Sequence, residues 1–429
     1  MLSFIPLKLR LPLKFGAEVI DSLKIAHVEL DAYNACGRGE TPLSAAWAWP
    51  SQASYVWRED IMCRFCRLLD REYPQGVIAS DAMTIGYVFL TEKLPQLLRR
   101  FNTENDCDMP WLAALICASA FDIALHDAWG VSNGCPTYSL YNGMHLEHDL
   151  EWFFNEPEFH GMYPCDLFVK DVPQTLPVWH LVGGKDLLTE GERKGNEPND
   201  GYPVSLEKWI ERDGLFCLKI KLTGRDAVWD YNRLVSVGKL ALKYNCRAIS
   251  PDFNCLVTAP DYVNDILDKL KAEEPRIFDL LLYVEQPFPY DLEANRIDVH
   301  SCSSSKPLFM DESAHDWQFV RLGRSLGWNG VALKVCKTQT GALLSACWAK
   351  KRGMHLMVQD LTNPMLAMIP HVLLAAHVGT IMGVECNAPQ FYPQASLEYE
   401  KMLPGLYERR HGIVDLSGIN GNGFGYPKR

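Results

Sequence analysis

No block of like charge and no uninterrupted apolar run of membrane-spanning length occurs among the 429 residues. The longest lipid-like stretch, Met365 to Val384, is broken by Pro370, His371 and His377 and reads as a buried helix followed by a strand. There is no basic excess either: 42 Lys plus Arg face 53 Asp plus Glu, a formal charge of −11. A protein that grips a phosphate backbone needs a concentrated basic surface, so neither nucleic acid nor a membrane is an expected partner. The N-terminus, MLSFIPLKLRLPLKFG, lacks the unbroken apolar segment of a signal peptide, since Lys8, Arg10 and Lys14 interrupt it; it reads as a strand. Fourteen cysteines without a secretory signal suggest reduced thiols and a cytoplasmic location. Cys63 and Cys66 form a CxxC with no second pair at zinc-ribbon spacing, which favours a buried structural role. What is present is ordinary for a folded chain: 48% hydrophobic and 22% charged residues, with 30 Gly and 26 Pro dispersed. That excludes disordered, collagen-like and coiled-coil proteins. The length exceeds what one hydrophobic core organises, so more than one domain is expected.

The first 150 residues mix two β-type segments, Phe4–Leu13 and Lys24–Tyr33, with later helical patterns. The clearest helix begins near Pro110, carries Leu112, Leu115, Ile116, Ala120 and Ile123 at helical spacing, and closes at Gly130. Strands followed by helices indicate an α+β domain. Between about 140 and 205 the chain is polar, with one apolar segment, Leu176–Val182, then Gly183-Gly184 and some twenty polar residues that read as a lid or insertion. Beyond Tyr202 short apolar runs alternate with helical stretches: Leu215–Leu222, Arg247–Asn254, Leu280–Pro287, Pro307–Ser313, Gly330–Lys337, His355–Asp360 and Gly379–Cys386. Such runs are parallel strands covered on both faces. With Leu176–Val182 they number eight, and each later run ends in an ionisable residue: Lys221, Asp252, Glu285, Asp311, Lys334, Asp360, Glu385. A doubly wound sheet would gather its chemistry at one switch point; functional groups at nearly every strand end fit a (β/α) barrel. The expected architecture is therefore α/β: an N-terminal α+β capping domain (1–150), a modified TIM-type barrel (151–390), and a C-terminal segment (391–429) packing back on the cap. The Gly-rich tail GINGNGFGYPKR reads as loosely held.

Within Leu218–Leu222, Lys219 and Lys221 share one face of a strand whose neighbours are apolar. Two ammonium groups inside a barrel require anionic partners. Asp252, Glu285 and Asp311 end three consecutive strands, in ISPDFN, LLYVEQP and LFMDES. A single Asp there would serve as a helix N-cap, but three adjacent carboxylates repel one another unless a hard cation such as Mg²⁺ binds them. Asn254 shares the parity of Asp252 and could hold a metal-bound water or the substrate; Glu312 has the opposite parity to Asp311. Lys334 points inward, whereas Lys337 reads as a solvated loop lysine. His145, His148, His371 and His377 read as structural or surface residues, and Trp47 and Trp49 as a cap loop able to line a substrate pocket.

The ordered set KxK, Asp-x-Asn, Glu-Gln-Pro, Asp-Glu-Ser and Leu-Lys-x-x-Lys resembles the enolase superfamily, and within it the branch of muconate lactonizing enzymes, dipeptide epimerases and acylamino-acid racemases. GRGETPLS resembles that family's early Gly-x-Gly-Glu turn, and FDIALHDAWGVSNGCPTYSLYNG its stretch leading into the barrel; the resemblance spans about Leu2 to Gln390. It implies that Lys221 and Lys334 are the catalytic lysines, with Lys219 as companion, and that Asp252, Glu285 and Asp311 are the Mg²⁺ ligands. Lys219, Asn254, Asp360 and Glu385 are the expected substrate contacts, although the seventh strand ends in Gln359-Asp360 where these relatives often carry a Glu. The eighth strand lacks the Asp-x-Asp of dipeptide epimerases, which argues against a dipeptide. The implied reaction is removal of the proton beside a carboxylate to give an enediolate, an arrangement of Mg²⁺ and a Lys or His base general to this superfamily. Racemisation or epimerisation is the first expectation, acid-sugar dehydration and cycloisomerisation the alternatives, with a small-molecule carboxylate as substrate and a homo-oligomer as assembly. From other classes, a metal-independent glycoside hydrolase would retain activity in chelator, and a non-catalytic relative would exchange no α-proton.

Overall fold

The computed structural model describes residues 1–15 and 18–427; Lys428 and Arg429 of the tail lie outside the described residues. The chain opens with an antiparallel sheet of β1 (Leu2–Phe15), β2 (Glu18–Ala32) and β3 (Ala35–Pro42). Tyr33 and Asn34 join β2 to β3 with both φ values positive, at 55° and 59°, as a tight two-residue hairpin turn demands. β3 contains GRGETP, read from sequence only as a turn. Its glycines have little strand propensity, but they are needed because the sheet lies directly on a helix. A Cβ at Gly37 would stand 2.0 Å from the Ala124 carbonyl oxygen, and one at Gly39 2.0 Å from that of Ala120. Helices α1 (Tyr55–Glu72) and α2 (Trp111–Ser132) pack on this sheet. α2 is long and apolar enough to cross a membrane, yet 94% of its most apolar window is buried inside the protein, as the cap's core helix.

The eight parallel strands of the barrel are β4 (Thr175–Val182), β5 (Cys217–Lys221), β6 (Ala248–Asp252), β7 (Val284–Glu285), β8 (Leu308–Met310), β9 (Gly330–Leu333), β10 (His355–Val358) and β11 (Val384–Glu385). Pairing of Val384 with Val178 closes the cylinder. The connecting helices are α3 (Leu206–Asp213), α4 (Ala227–Lys243), α5 (Pro260–Glu273), α6 (His300–Ser305), α7 (Trp317–Ser325), α8 (Gln339–Lys351) and α9 (Met368–Val378). This is a modified TIM barrel with an N-terminal capping domain, the expected architecture.

The barrel floor is a layer of Trp179, Cys217, Ala248, Phe309 and Met357, each from a different strand, with Tyr283 just ahead of β7. Because side chains alternate along a strand, that layer fixes which later residues face inward: Lys219 and Lys221, Ser250 and Asp252, Glu285, Asp311 and Gln359. The same alternation turns Asp360 away from the axis.

The segment after residue 390 contacts both domains. β12 (Ile413–Asp415) adds antiparallel to β4. The tail is not loosely held: Phe424 N–H donates to Asp127 at 2.8 Å, Thr137 N–H to the Gly423 carbonyl at 2.8 Å, and Phe424 and Tyr426 are buried. Glycines there allow close backbone approach rather than mobility, with Gly423, Gly421 and Gly425 all at positive φ. The polar segment after Gly183 folds back toward the cap, where Arg10 of β1 makes a two-pronged ion pair with Asp200 at 2.7 and 2.8 Å.

Candidate active site

The ionisable residues at the strand ends meet at the C-terminal mouth of the barrel, where such folds carry their chemistry. Asp252 and Glu285 are direct partners on β6 and β7, and their carboxyl groups lie within hydrogen-bonding reach. Asp311 stands two residues above Phe309, the partner of Glu285. Lys219 Nζ lies 2.5 Å from Glu285, 3.3 Å from Asp252 and 3.4 Å from Glu385. Lys221 pairs with Asp252 at 2.5 Å and donates to Asn254 Oδ1 at 2.8 Å. Lys334, from the far side of the barrel, pairs with Asp311 at 3.1 Å. All are buried except Lys221, whose side chain retains 13% exposure.

Electrostatics follow from that packing. Burial disfavours the charge of Lys219, but Glu285, Glu385 and Asp252 outweigh it and raise its pKa well above the usual lysine range. Lys334 is likewise raised, burial being overcome mainly by Asp311. Asp252 is pulled down, against its own burial, by Lys221 and Lys219, and Asp311 by Lys334 and Lys337. Burial and the Asp252 charge push Glu285 well up. Glu312, buried beside Asp311 and Asp252, is pushed up to about 7.

Lys337 differs from the sequence expectation. Rather than being solvated it is 3% exposed, donates to the Asp311 carbonyl at 2.5 Å, and is lowered by burial. The strand ends at Met310, and β9 gives way at once to a 3₁₀ turn, Val335–Lys337, so strand parity no longer governs Glu312 or Lys337. Asp360 comes to the rim but spends its carboxylate on the backbone N–H groups of Asn363 and Asn387, at 2.6 Å each. Glu385 does face inward, in register with Trp179 of the barrel floor. Asn254 holds Lys221 and, with its amide, the Leu222 carbonyl.

Sequence reasoning missed Gln359, whose side chain lies between Lys219 at 3.4 Å, Tyr283 at 3.2 Å and Glu285. Counting two residues on from Met357 would have found it. Trp47 places its ring 4.8 Å from Lys334 Nζ and 5.5 Å from Lys337 Nζ, a cation–π roof supplied by the cap. His371 is buried and bonds the Glu385 carbonyl at 2.7 Å.

No protein-family model and no curated protein matches the sequence. Solved structures do match. A dipeptide epimerase from Enterococcus faecalis V583, complexed with Mg and the dipeptide L-Leu-L-Tyr, superposes with a TM-score of 0.64 at 17% identity, over 99% of this chain and 98% of that one. The N-succinyl Arg/Lys racemase of Bacillus cereus ATCC 14579 gives 0.63 at 18% identity, over 99% and 93%. A muconate lactonizing enzyme from Pseudomonas fluorescens complexed with muconolactone gives 0.63 at 16%, over 100% and 95%. The fold is that of the mandelate racemase/muconate lactonizing group.

Among the described residues, Asp149, Glu151 and His160 bring three ligand atoms within 4.8 Å of one another. That surface trio is internally satisfied: Asp149 accepts from Trp152 and Gly161, and Glu151 pairs with His160. Asp252, Glu285 and Asp311 are less tightly gathered, with lysine ammonium groups standing among them. Their fit to a hard cation rests on other grounds. Glu312 Oε2 is buried without a hydrogen-bond partner, Asp311 Oδ1 has only the Lys337 ammonium at 3.6 Å, and Glu285 Oε1 only that of Lys219 at 2.5 Å, places a cation could share or take. In addition, burial and the neighbouring carboxylates raise Glu285 well above the usual carboxylate range and Glu312 to about 7; a cation held among them would let both ionise.

Proposed function

We propose that this chain is a Mg²⁺-dependent racemase or epimerase that exchanges the proton on the carbon beside a substrate carboxylate. The reading is supported by one arrangement above all. Lys221 and Lys334 come from the second and sixth of eight barrel strands, diametrically placed, and each rests on a carboxylate of the set Asp252, Glu285, Asp311. A metal held by those three carboxylates would supply positive charge to the substrate carboxylate as its α-carbon loses a proton. Lys219, kept charged by three carboxylates, is suited to orienting the substrate carboxylate. Lys334, held protonated by Asp311, is placed to deliver a proton to one face, while Lys221, nearest the solvent, is placed to take one from the other. Reversal of those roles returns the opposite configuration.

Asp360 is committed to two backbone donors and Glu385 to Lys219 and Asn387, so a dehydratase would have to protonate its leaving hydroxyl from one of the lysines; lysines on both faces support epimerisation as the first reading. The trial is incubation with a panel of N-acylamino acids, dipeptides and 2-hydroxy acids in D₂O with Mg²⁺. Deuterium at the α-carbon with changed configuration is the expected result. Loss of water would assign a dehydratase instead, and full turnover in chelator would refute the metal-assisted scheme.

A further inference from the structure

Ser119, Asp122 and His126 sit fully buried on the mostly apolar α2, and all three aim at one place in the barrel. Ser119 Oγ donates to the Val335 carbonyl at 2.7 Å and accepts from Thr41 at 3.0 Å. Asp122 accepts the Thr340 N–H at 2.8 Å, the Thr340 hydroxyl at 3.0 Å and the Tyr73 hydroxyl at 3.0 Å. His126 lies 2.8 Å from the Thr340 hydroxyl and 2.9 Å from that of Tyr141. Burial lowers the pKa of His126 and keeps it neutral. Its partners then fix the tautomer: Tyr141 donates to Nδ1, and Nε2–H donates to Thr340, whose own proton goes to Asp122. Gly86 leaves no slack around this knot, since a Cβ there would lie 2.2 Å from Thr340 Oγ1 and 2.6 Å from Asp122 Oδ1.

The residues gripped, Val335 and Thr340, flank the turn that follows Lys334 and carries Lys337. That turn includes Thr338 at φ 76°, a conformation unfavourable for a β-branched residue. Apolar packing would suffice to dock a helix on a barrel, and buried polar groups are costly unless each bond is made. Lys221, by contrast, is held from within the barrel by Asp252 and Asn254. We infer that Ser119, Asp122 and His126 of the cap are positioning residues for Lys334: the cap sets the placement of one of the two lysines and leaves the other to the barrel. This rests on the proposed function for its catalytic consequence, though not for its geometry.

The test compares wild type with Ser119→Ala, and with the Ser119→Ala/Asp122→Asn pair. Acetylation by acetic anhydride is followed lysine by lysine by mass spectrometry, which needs no substrate. Loss of one buried hydrogen bond is expected to raise the rate at Lys334 about fivefold while Lys221 is unchanged. Unchanged labelling of Lys334, or equal change at both lysines, overturns the proposal. With a carboxylate that wild type turns over, α-proton exchange is then measured for each enantiomer, the two faces being assigned by Lys334→Ala and Lys221→Ala. Exchange through Lys334 is expected to fall about 10²-fold, with that through Lys221 altered less than about threefold; parallel losses overturn it. If wild type exchanges no carboxylate at all, the proposed function fails while the labelling still decides the positioning role. Should the double variant not fold, Ser119→Ala alone, a one-atom deletion, carries both readouts.

Discussion

His315, on the loop leaving β8, offers a quantitative check on the electrostatics around the site. Its ring is buried between Tyr290 and Phe319, and neither nitrogen has a hydrogen-bond partner. Burial, reinforced by the Lys337 charge, lowers its pKa from 6.5 to about 3. Below pH 6.5 the unfolded chain therefore takes up a proton at this ring that the folded chain refuses. Stability is full above pH 6.5 and is lost progressively as pH falls toward 3. At pH 5.0 the loss from this residue is about 2 kcal/mol relative to pH 7.5, since each pKa unit is worth about 1.4 kcal/mol. The figure hardly changes for any folded-state value below about 4. His315→Phe removes the titrating group, sacrifices no hydrogen bond and keeps an aromatic ring between Tyr290 and Phe319. Denaturant unfolding of both proteins at pH 7.5 and 5.0 should show the variant losing about 2 kcal/mol less than wild type over that interval. Equal losses, or an NMR titration of this ring near pH 6.5, would refute the reasoning.

Other outcomes follow from the same geometry. Lys221→Ala and Lys334→Ala should each abolish racemisation while leaving divalent-ion binding, and each should spare α-proton exchange in one enantiomer only; normal turnover in either contradicts the assigned roles. Gly39→Ala forces a methyl to 2.0 Å from the Ala120 carbonyl oxygen and should cost about 3 kcal/mol or more, read by denaturation. Arg10→Gln breaks the pair with Asp200 and should speed tryptic cleavage at Arg193 and Lys194; unchanged cleavage would show that the pair does not hold the segment.

The barrel was legible because its strands are continuous apolar runs, all after the first closed by an ionisable residue at a spacing of one strand–helix unit. Lys219, Lys221, Asp252, Glu285, Asp311 and Lys334 could be placed from alternation alone. Alternation fails where strands stop: Glu312 and Lys337 lie past the ends of β8 and β9, and both are folded inward by turns that sequence spacing does not encode. Asp360 was chosen over Gln359 on charge, although Met357 at the barrel floor gives Gln359 the inward parity. The cap motifs GRGETPLS and FDIALHDAWG could be matched to a family but not explained. Their glycines admit α2 against β3, and Ser119, Asp122 and His126 reach a turn more than 200 residues away in sequence. Such partnerships are tertiary and leave no local periodic trace.

Divalent-ion binding to the free protein bears most directly on the central claim, and Mn²⁺ titrated by electron paramagnetic resonance reads it without a substrate. Wild type should bind one ion per chain in competition with Mg²⁺, and Glu285→Gln should lose it while an Asp149→Asn control keeps it. Retention of the ion in Glu285→Gln, or its loss only in Asp149→Asn, would place the metal outside the barrel and contradict the account.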